Sequence, residues 1–151
     1  MPDLVTHLAA GFLSGRPLRL ARSAVVFYLG ALLPDLLSRP FHIPFPAVFP
    51  ATQPFHSPFV LFALCWLAAL FFRADQRSRI FWLLYGGCWT HLLLDMLQVH
   101  LIGGYAWLAP FSWRTYSIGF LGPEDFLRFL PLSIPLILLA FVLAWRRGMP
   151  R

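Results

Sequence analysis

Residues 80–101, IFWLLYGGCWTHLLLDMLQVHL, decide how the chain is read. The segment is long enough to cross a bilayer, since about 20 residues at ~1.5 Å rise span the hydrocarbon. Yet it carries His91 and Asp95 four residues apart, with Gln98 three further on. Positions i and i+4 share a helical face, so imidazole and carboxylate point the same way, one turn apart. An aspartate deep in a span costs about 2.5–3.5 kcal/mol on insertion scales and is kept there when it has a partner. The pair has the spacing of metal ligands. A buried His–Asp hydrogen bond tying helices together is the plainer alternative.

The remaining composition makes the bilayer the solvent. Of 151 residues, 59% are hydrophobic and 12% charged, with mean hydropathy +0.70, too few charges to clothe a water-soluble globule. The length fits a single membrane-embedded domain, 1–151. All twelve basic residues are arginine and the formal charge is +6. They fall in short clusters between apolar runs rather than on one polar face, so they are expected to orient the chain and touch anionic headgroups; nucleic-acid binding is not expected. Cys65 and Cys88 lie in apolar stretches and read as reduced packing residues. No basic residue precedes Arg16, so the first apolar segment is expected to stay in the mature protein rather than act as a secretory signal.

Working outward, an all-α integral membrane bundle of four to five helices is expected. A short apolar segment at 3–14 precedes a helix at 23–37 that ends at Pro34-Asp35. Six prolines in residues 39–58 forbid a continuous helix there. Ser57-Pro58 reads as an N-cap followed by proline at the first helical position, opening a span to about Phe72. The basic turn 73–79 leads to the segment at 80–101, and an aromatic, glycine-rich loop leads to a last span at 126–145. Nine arginines lie in 16–22, 73–79 and the tail, against three elsewhere (Arg39, Arg114, Arg128), which puts the nine in the cytoplasm.

That topology gathers further polar residues. His7, Asp35 and His56 fall near the outer ends of their segments, and His91 and Asp95 lie about 12 and about 16 residues beyond the basic turn, past the midplane on the same side. Three imidazoles and two carboxylates form an N/O set suited to Zn²⁺, Mn²⁺ or Fe²⁺, zinc being the default, with one ion or two. Arg114 and Tyr116, in the outer loop, are candidates to meet a substrate phosphate, or else belong to an interfacial aromatic belt. His42 and His100 are weaker candidates as extra ligands, and Cys88 is favoured as a packing residue near the site.

Read together, Thr6-His7, LGALLPD at 29–35, His56-Ser57, HLLLD at 91–95 and the WLAPFS loop at 107–112 resemble the bacterial and archaeal inner-membrane metal-dependent hydrolases, also described as LexA-binding, membrane-associated hydrolases. That family is thought to be distantly similar to zinc-dependent phospholipase C and its single-strand nuclease relatives. The resemblance implies that His7, Asp35, His56, His91 and Asp95 are metal ligands. The family often has one more histidine shortly before its His-Ser element, where this chain has ATQPF at 51–55.

The expected function is hydrolysis of a phosphoester, a phospholipid or lipid-linked phosphate, at the outer leaflet of the inner (plasma) membrane. Asp35 or Asp95 would orient the attacking water. A metal or proton transporter is a rival, because intramembrane His and Asp also mark ion pathways, although the cytoplasmic halves of the spans are almost purely apolar. A non-catalytic protein whose metal staples short helices is the other rival.

Overall fold

The computed structural model describes residues 7, 10–11, 23–99, 103–120, 122, 135, 138 and 142. Among them the chain is all-helical, with an isolated antiparallel bridge between Tyr105 and Tyr116. Residues 7, 10 and 11 are helical, as are 135, 138 and 142 in the region expected to form the last span. The rest of that span lies outside the described residues.

Helix α1 runs Ala24–His42 and contains both Pro34 and Pro40. The expected stop at Pro34-Asp35 is therefore corrected. Proline removes one N–H and crowds the carbonyl four residues back, which for Pro34 belongs to Gly30. In apolar surroundings an opened backbone is costlier than this local defect, so the helix continues. Asp35 thus stands inside a helix, and Arg39 follows one turn later on the same face.

The proline-rich stretch resolves into short turns: a 3-10 turn at Pro46–Val48, helix α2 at Phe49–Thr52 and a second 3-10 turn at Gln53–His56. Each has proline at its first or second position, where a missing N–H is no loss. Helix α3, Pro58–Leu70, also starts on proline. Ser57 occupies its N-cap position, but its side chain makes no cap bond, contrary to expectation. The hydroxyl instead lies 2.6 Å from the Ala109 carbonyl and 3.1 Å from that of Trp107, and donates to them. Helix α4 runs Arg77–Leu97.

Helices α1 and α4 are each long and apolar enough to cross a membrane, with mean hydropathy 1.3. The Pro46–His56 and Pro58–Leu70 segments pass that test only as a pair bent by 76°, in the manner of a broken span or re-entrant loop. Large apolar side chains such as Val25, Trp66 and Trp82 point outward, as a lipid-facing surface requires. Inside, Leu61, Cys65 and Ala69 of α3 pack on Phe81, Leu84, Cys88 and Leu92 of α4. Cys65 and Cys88 are free thiols with sulfurs 3.7 Å apart.

The crossing of α1 and α4 is set by two glycines. A Cβ on Gly30 would strike the Leu84 carbonyl, and one on Gly87 would strike the Phe27 carbonyl and come within 2.7 Å of the Ala31 nitrogen. With hydrogen in both places the two backbones touch, the small-residue packing common between membrane helices.

Candidate metal centre

The close crossing brings the Ala31 carbonyl 2.8 Å from His91 Nδ1. A carbonyl only accepts, so Nδ1 carries the proton and donates, leaving a lone pair on Nε2. This is the outer partner that a ligating histidine characteristically has. Nε2 points inward and lies 3.2 Å from Asp95 Oδ2, one turn along α4.

Three other segments close on this pair. His7 Nε2 lies 3.3 Å from Asp95 Oδ1, and its ring packs on His91 with centroids 3.8 Å apart. Gly11, also helical, faces Ala31 so closely that an added Cβ would come within 2.9 Å of the alanine methyl. From α1, Asp35 Oδ1 lies 3.6 Å from His56 Nε2 and 4.0 Å from His91 Nε2. His56 ends the second 3-10 turn, and its Nε2 is also 3.6 Å from Asp95 Oδ2. All five residues are 1–2% exposed.

These groups have the signature of an ion-binding set. The Nε2 atoms of His56 and His91 and Oδ2 of Asp95 are buried without a hydrogen bond. Buried polar atoms otherwise find partners, and lone pairs turned toward one another repel unless a proton or a metal cation stands among them. Two triplets, His7–Asp35–His91 and His56–His91–Asp95, each place their ligand atoms within 4.8 Å of one another and share His91. The donors, imidazole nitrogens and carboxylate oxygens, fit a divalent metal.

Two neighbours escaped the sequence reading. Arg39 places Nη2 2.7 Å from Asp35 Oδ2, so Asp35 turns one oxygen to the histidines and the other to a guanidinium. Its i+4 spacing from Asp35 was a readable signal. Tyr105 is 2% exposed and stacks on His56, with centroids 4.7 Å apart and planes at 20°. Burial pushes its phenol well above the ordinary value near 10, and the Asp95 and Asp35 carboxylates reinforce the shift, so the phenol keeps its proton. No spacing in the sequence pointed to Tyr105. It is delivered by a loop that turns at Gly103 and Gly104, with φ of 86° and 112°, and that hydrogen-bonds back through Tyr116.

The other sequence candidates are not among these buried ligand groups. Arg114 and Tyr116 are exposed and stand outside the buried group, because the Tyr105–Tyr116 bridge turns the first tyrosine inward and leaves the second on the surface. Cys88 belongs to the apolar core with Cys65. His42 packs against Phe49 and Thr52, and His100 lies outside the described residues. Gln98 is buried with neither amide atom hydrogen-bonded.

Two membrane-length helices and a buried three-histidine, two-carboxylate group define a helical membrane protein able to hold a metal ion. The chain belongs to the YdjM inner membrane protein family, whose model matches residues 1–149. No curated protein and no solved structure matches it. The family description and the apolar helices agree on a membrane location. They do not bear on hydrolysis, on zinc or on the phospholipase C likeness.

Proposed function

We propose that this protein is a membrane-embedded, metal-dependent hydrolase of a phosphoester carried by a lipid. The observation that supports it most is the convergence of five buried ligand groups from four segments of the chain, in two triplets that share His91 and each hold their donor atoms within 4.8 Å of one another. His7, His56 and His91, with Asp35 and Asp95, would hold one or two divalent ions, zinc being the default. When bound, such an ion supplies Lewis-acid polarisation of a phosphoryl oxygen and activation of water.

The chain's own residues have separable tasks in this reading. The Ala31 carbonyl orients His91, and the Tyr105 ring stacks on His56 and holds it in place. Asp35, with Oδ2 engaged by Arg39, keeps Oδ1 toward the centre, where it is suited to orient a water. The arginine distribution favours a site on the extracytoplasmic side of the inner membrane.

The depth of burial favours a second reading, a closed structural site that staples the helices. Detergent-purified protein incubated with a panel of phospholipids and soluble phosphoesters separates the two. Metal-dependent turnover that is lost in each of His7→Ala, Asp35→Ala and His56→Ala supports the hydrolase. Tight metal binding with no turnover across the panel sinks it and leaves the staple.

A further inference from the structure

Gln98 is a buried polar residue that the candidate centre leaves unexplained. It is 1% exposed, and neither amide atom hydrogen-bonds a described residue. Ser38 of α1 shares both properties, at 1% exposed with an unpartnered Oγ. We propose that Ser38 and Gln98 form a hydroxyl-binding layer beside the candidate centre, which takes an oxygen that both donates and accepts, either water or the alcohol of a substrate ester. Its meaning as a subsite rests on the hydrolase reading, whereas the layer itself does not.

The seam between α1 and α4 brings the two residues together. The backbones touch where residues 27–31 meet 84–87. Beyond that point the helices advance side by side, with Ala31 joined to His91 at 2.8 Å and Asp35 Oδ1 4.0 Å from His91 Nε2. Ser38 and Gln98 each stand seven residues past the joined Ala31–His91 pair. Seven residues are about two turns, so both stack over that pair in a later layer of the same seam. Asp35 and Asp95 each lie 3.6 Å from His56 Nε2, which puts the carboxylates at one depth. Ser38 and Gln98 follow them by three residues, about 4.5 Å. Gln98 directly succeeds the last residue of α4, and α1 ends at His42. The layer thus lies between the carboxylates and the membrane surface at which both helices end.

Donor balance selects the ligand. Buried amides and hydroxyls are normally satisfied, the more so in apolar surroundings. The Gln98 amide donates through Nε2 and accepts at Oε1, and the Ser38 hydroxyl does both. A metal ion would leave Nε2 unanswered, since a cation accepts no hydrogen bond. A phosphate dianion would leave Oε1 unanswered, since it donates none. A hydroxyl answers all three atoms, and three partners are the usual number for a buried water. Phosphoester hydrolysis has two such oxygens. The oxygen of water bonds to phosphorus, the ester P–O bond breaks, and the departing alcohol oxygen takes up the proton that water gives up.

The test is a structure of the full-length protein in nanodiscs at a resolution that shows ordered water, paired with thermal melts and with turnover of phosphatidylglycerol and phosphatidylcholine. An ordered oxygen should lie within hydrogen-bonding distance of Ser38 Oγ and a Gln98 amide atom. Ser38→Ala and Gln98→Leu should each displace it with metal content unchanged. Because the two residues share that oxygen, the fall in melting temperature of the double variant should be smaller than the sum of the two singles. If the oxygen is water, Gln98→Leu should slow both lipids alike, by about tenfold or more. If it is the substrate alcohol, only phosphatidylglycerol, whose headgroup carries hydroxyls, should slow. Should Gln98→Leu fold poorly, the parent structure and Ser38→Ala carry the test. A Gln98 amide paired directly with protein, no ordered oxygen at either residue, strictly additive losses, or a melting temperature that rises in Gln98→Leu would overturn the proposal. A shared oxygen without turnover of any lipid leaves the layer standing and removes the hydrolase. Turnover that both variants leave untouched, with no shared oxygen, does the reverse.

Discussion

The His91 imidazole donates its Nδ1 proton to the Ala31 carbonyl at 2.8 Å, and it reaches that carbonyl because Gly87, one turn earlier on α4, has no side chain. Helix crossing and ligand orientation are therefore one feature. Gly87→Ala should push the backbones apart against the Phe27 carbonyl, costing about 1–3 kcal/mol in overpacking. It should also weaken metal binding by about 10–100-fold, the usual penalty for disturbing a ligand's outer partner. Gly86→Ala is the control, since a Cβ there meets only the Phe27 ring at 3.4 Å. Metal titration of both variants checks this, and equal affinities would break the link between crossing and site.

Tyr105 meets the site with its ring and its hydroxyl, and substitution can separate the two. Tyr105→Phe keeps the stack on His56 and removes a hydroxyl that feels the Asp95 and Asp35 carboxylates. It should reduce metal affinity by about 10–100-fold with little change in thermal stability. Tyr105→Ala should lose the stack as well and lower the melting temperature. Unchanged affinity in Tyr105→Phe would show that the phenol is a packing group.

Ser57 is a test of how the loop is held. Its hydroxyl donates to the Trp107 and Ala109 carbonyls rather than capping α3. Ser57→Ala should cost about 1–3 kcal/mol by leaving a buried carbonyl unsatisfied. It should also raise proteolytic sensitivity within 103–120, because that loop is what the bond pins. A loss of α3 helicity with the loop still protected would instead mean that Ser57 serves as a cap.

Much of this was legible in the chain because two periodicities are strong. The HLLLD spacing fixes His91 and Asp95 on one helical face, and the apolar lengths around them announce the bilayer. Pro34 misled the reading of α1, since the rule that proline ends helices holds where water can satisfy the opened backbone, and that condition fails in lipid. Ser57 misled in a smaller way, by occupying the cap position while its hydroxyl bonds elsewhere. Tyr105 was invisible because its place depends on the fold of a loop, whereas Arg39 was overlooked although its spacing from Asp35 was plain. The Gly30–Gly87 contact joins residues far apart in sequence, and nothing local marks such pairs.

Orientation in the membrane is testable on either side of α4. In a Cys65→Ala, Cys88→Ala background, Gln76→Cys and Ser117→Cys place thiols at exposed positions before and after that helix. With the 73–79 turn cytoplasmic, an impermeant maleimide on intact cells should label position 117 and spare position 76. The opposite pattern would invert the protein and put the candidate centre on the cytoplasmic side.

The central claim is that His7, Asp35, His56, His91 and Asp95 form a metal site, and the metal content of detergent-purified protein tests it most directly. Elemental analysis after exposure to micromolar zinc, manganese and iron and extensive dialysis should find at least one transition metal ion per chain in the parent. The variant carrying both His91→Ala and Asp95→Ala should hold none while still inserting in the membrane. A parent free of metal, or a double variant that retains the parent's full complement, would contradict the account.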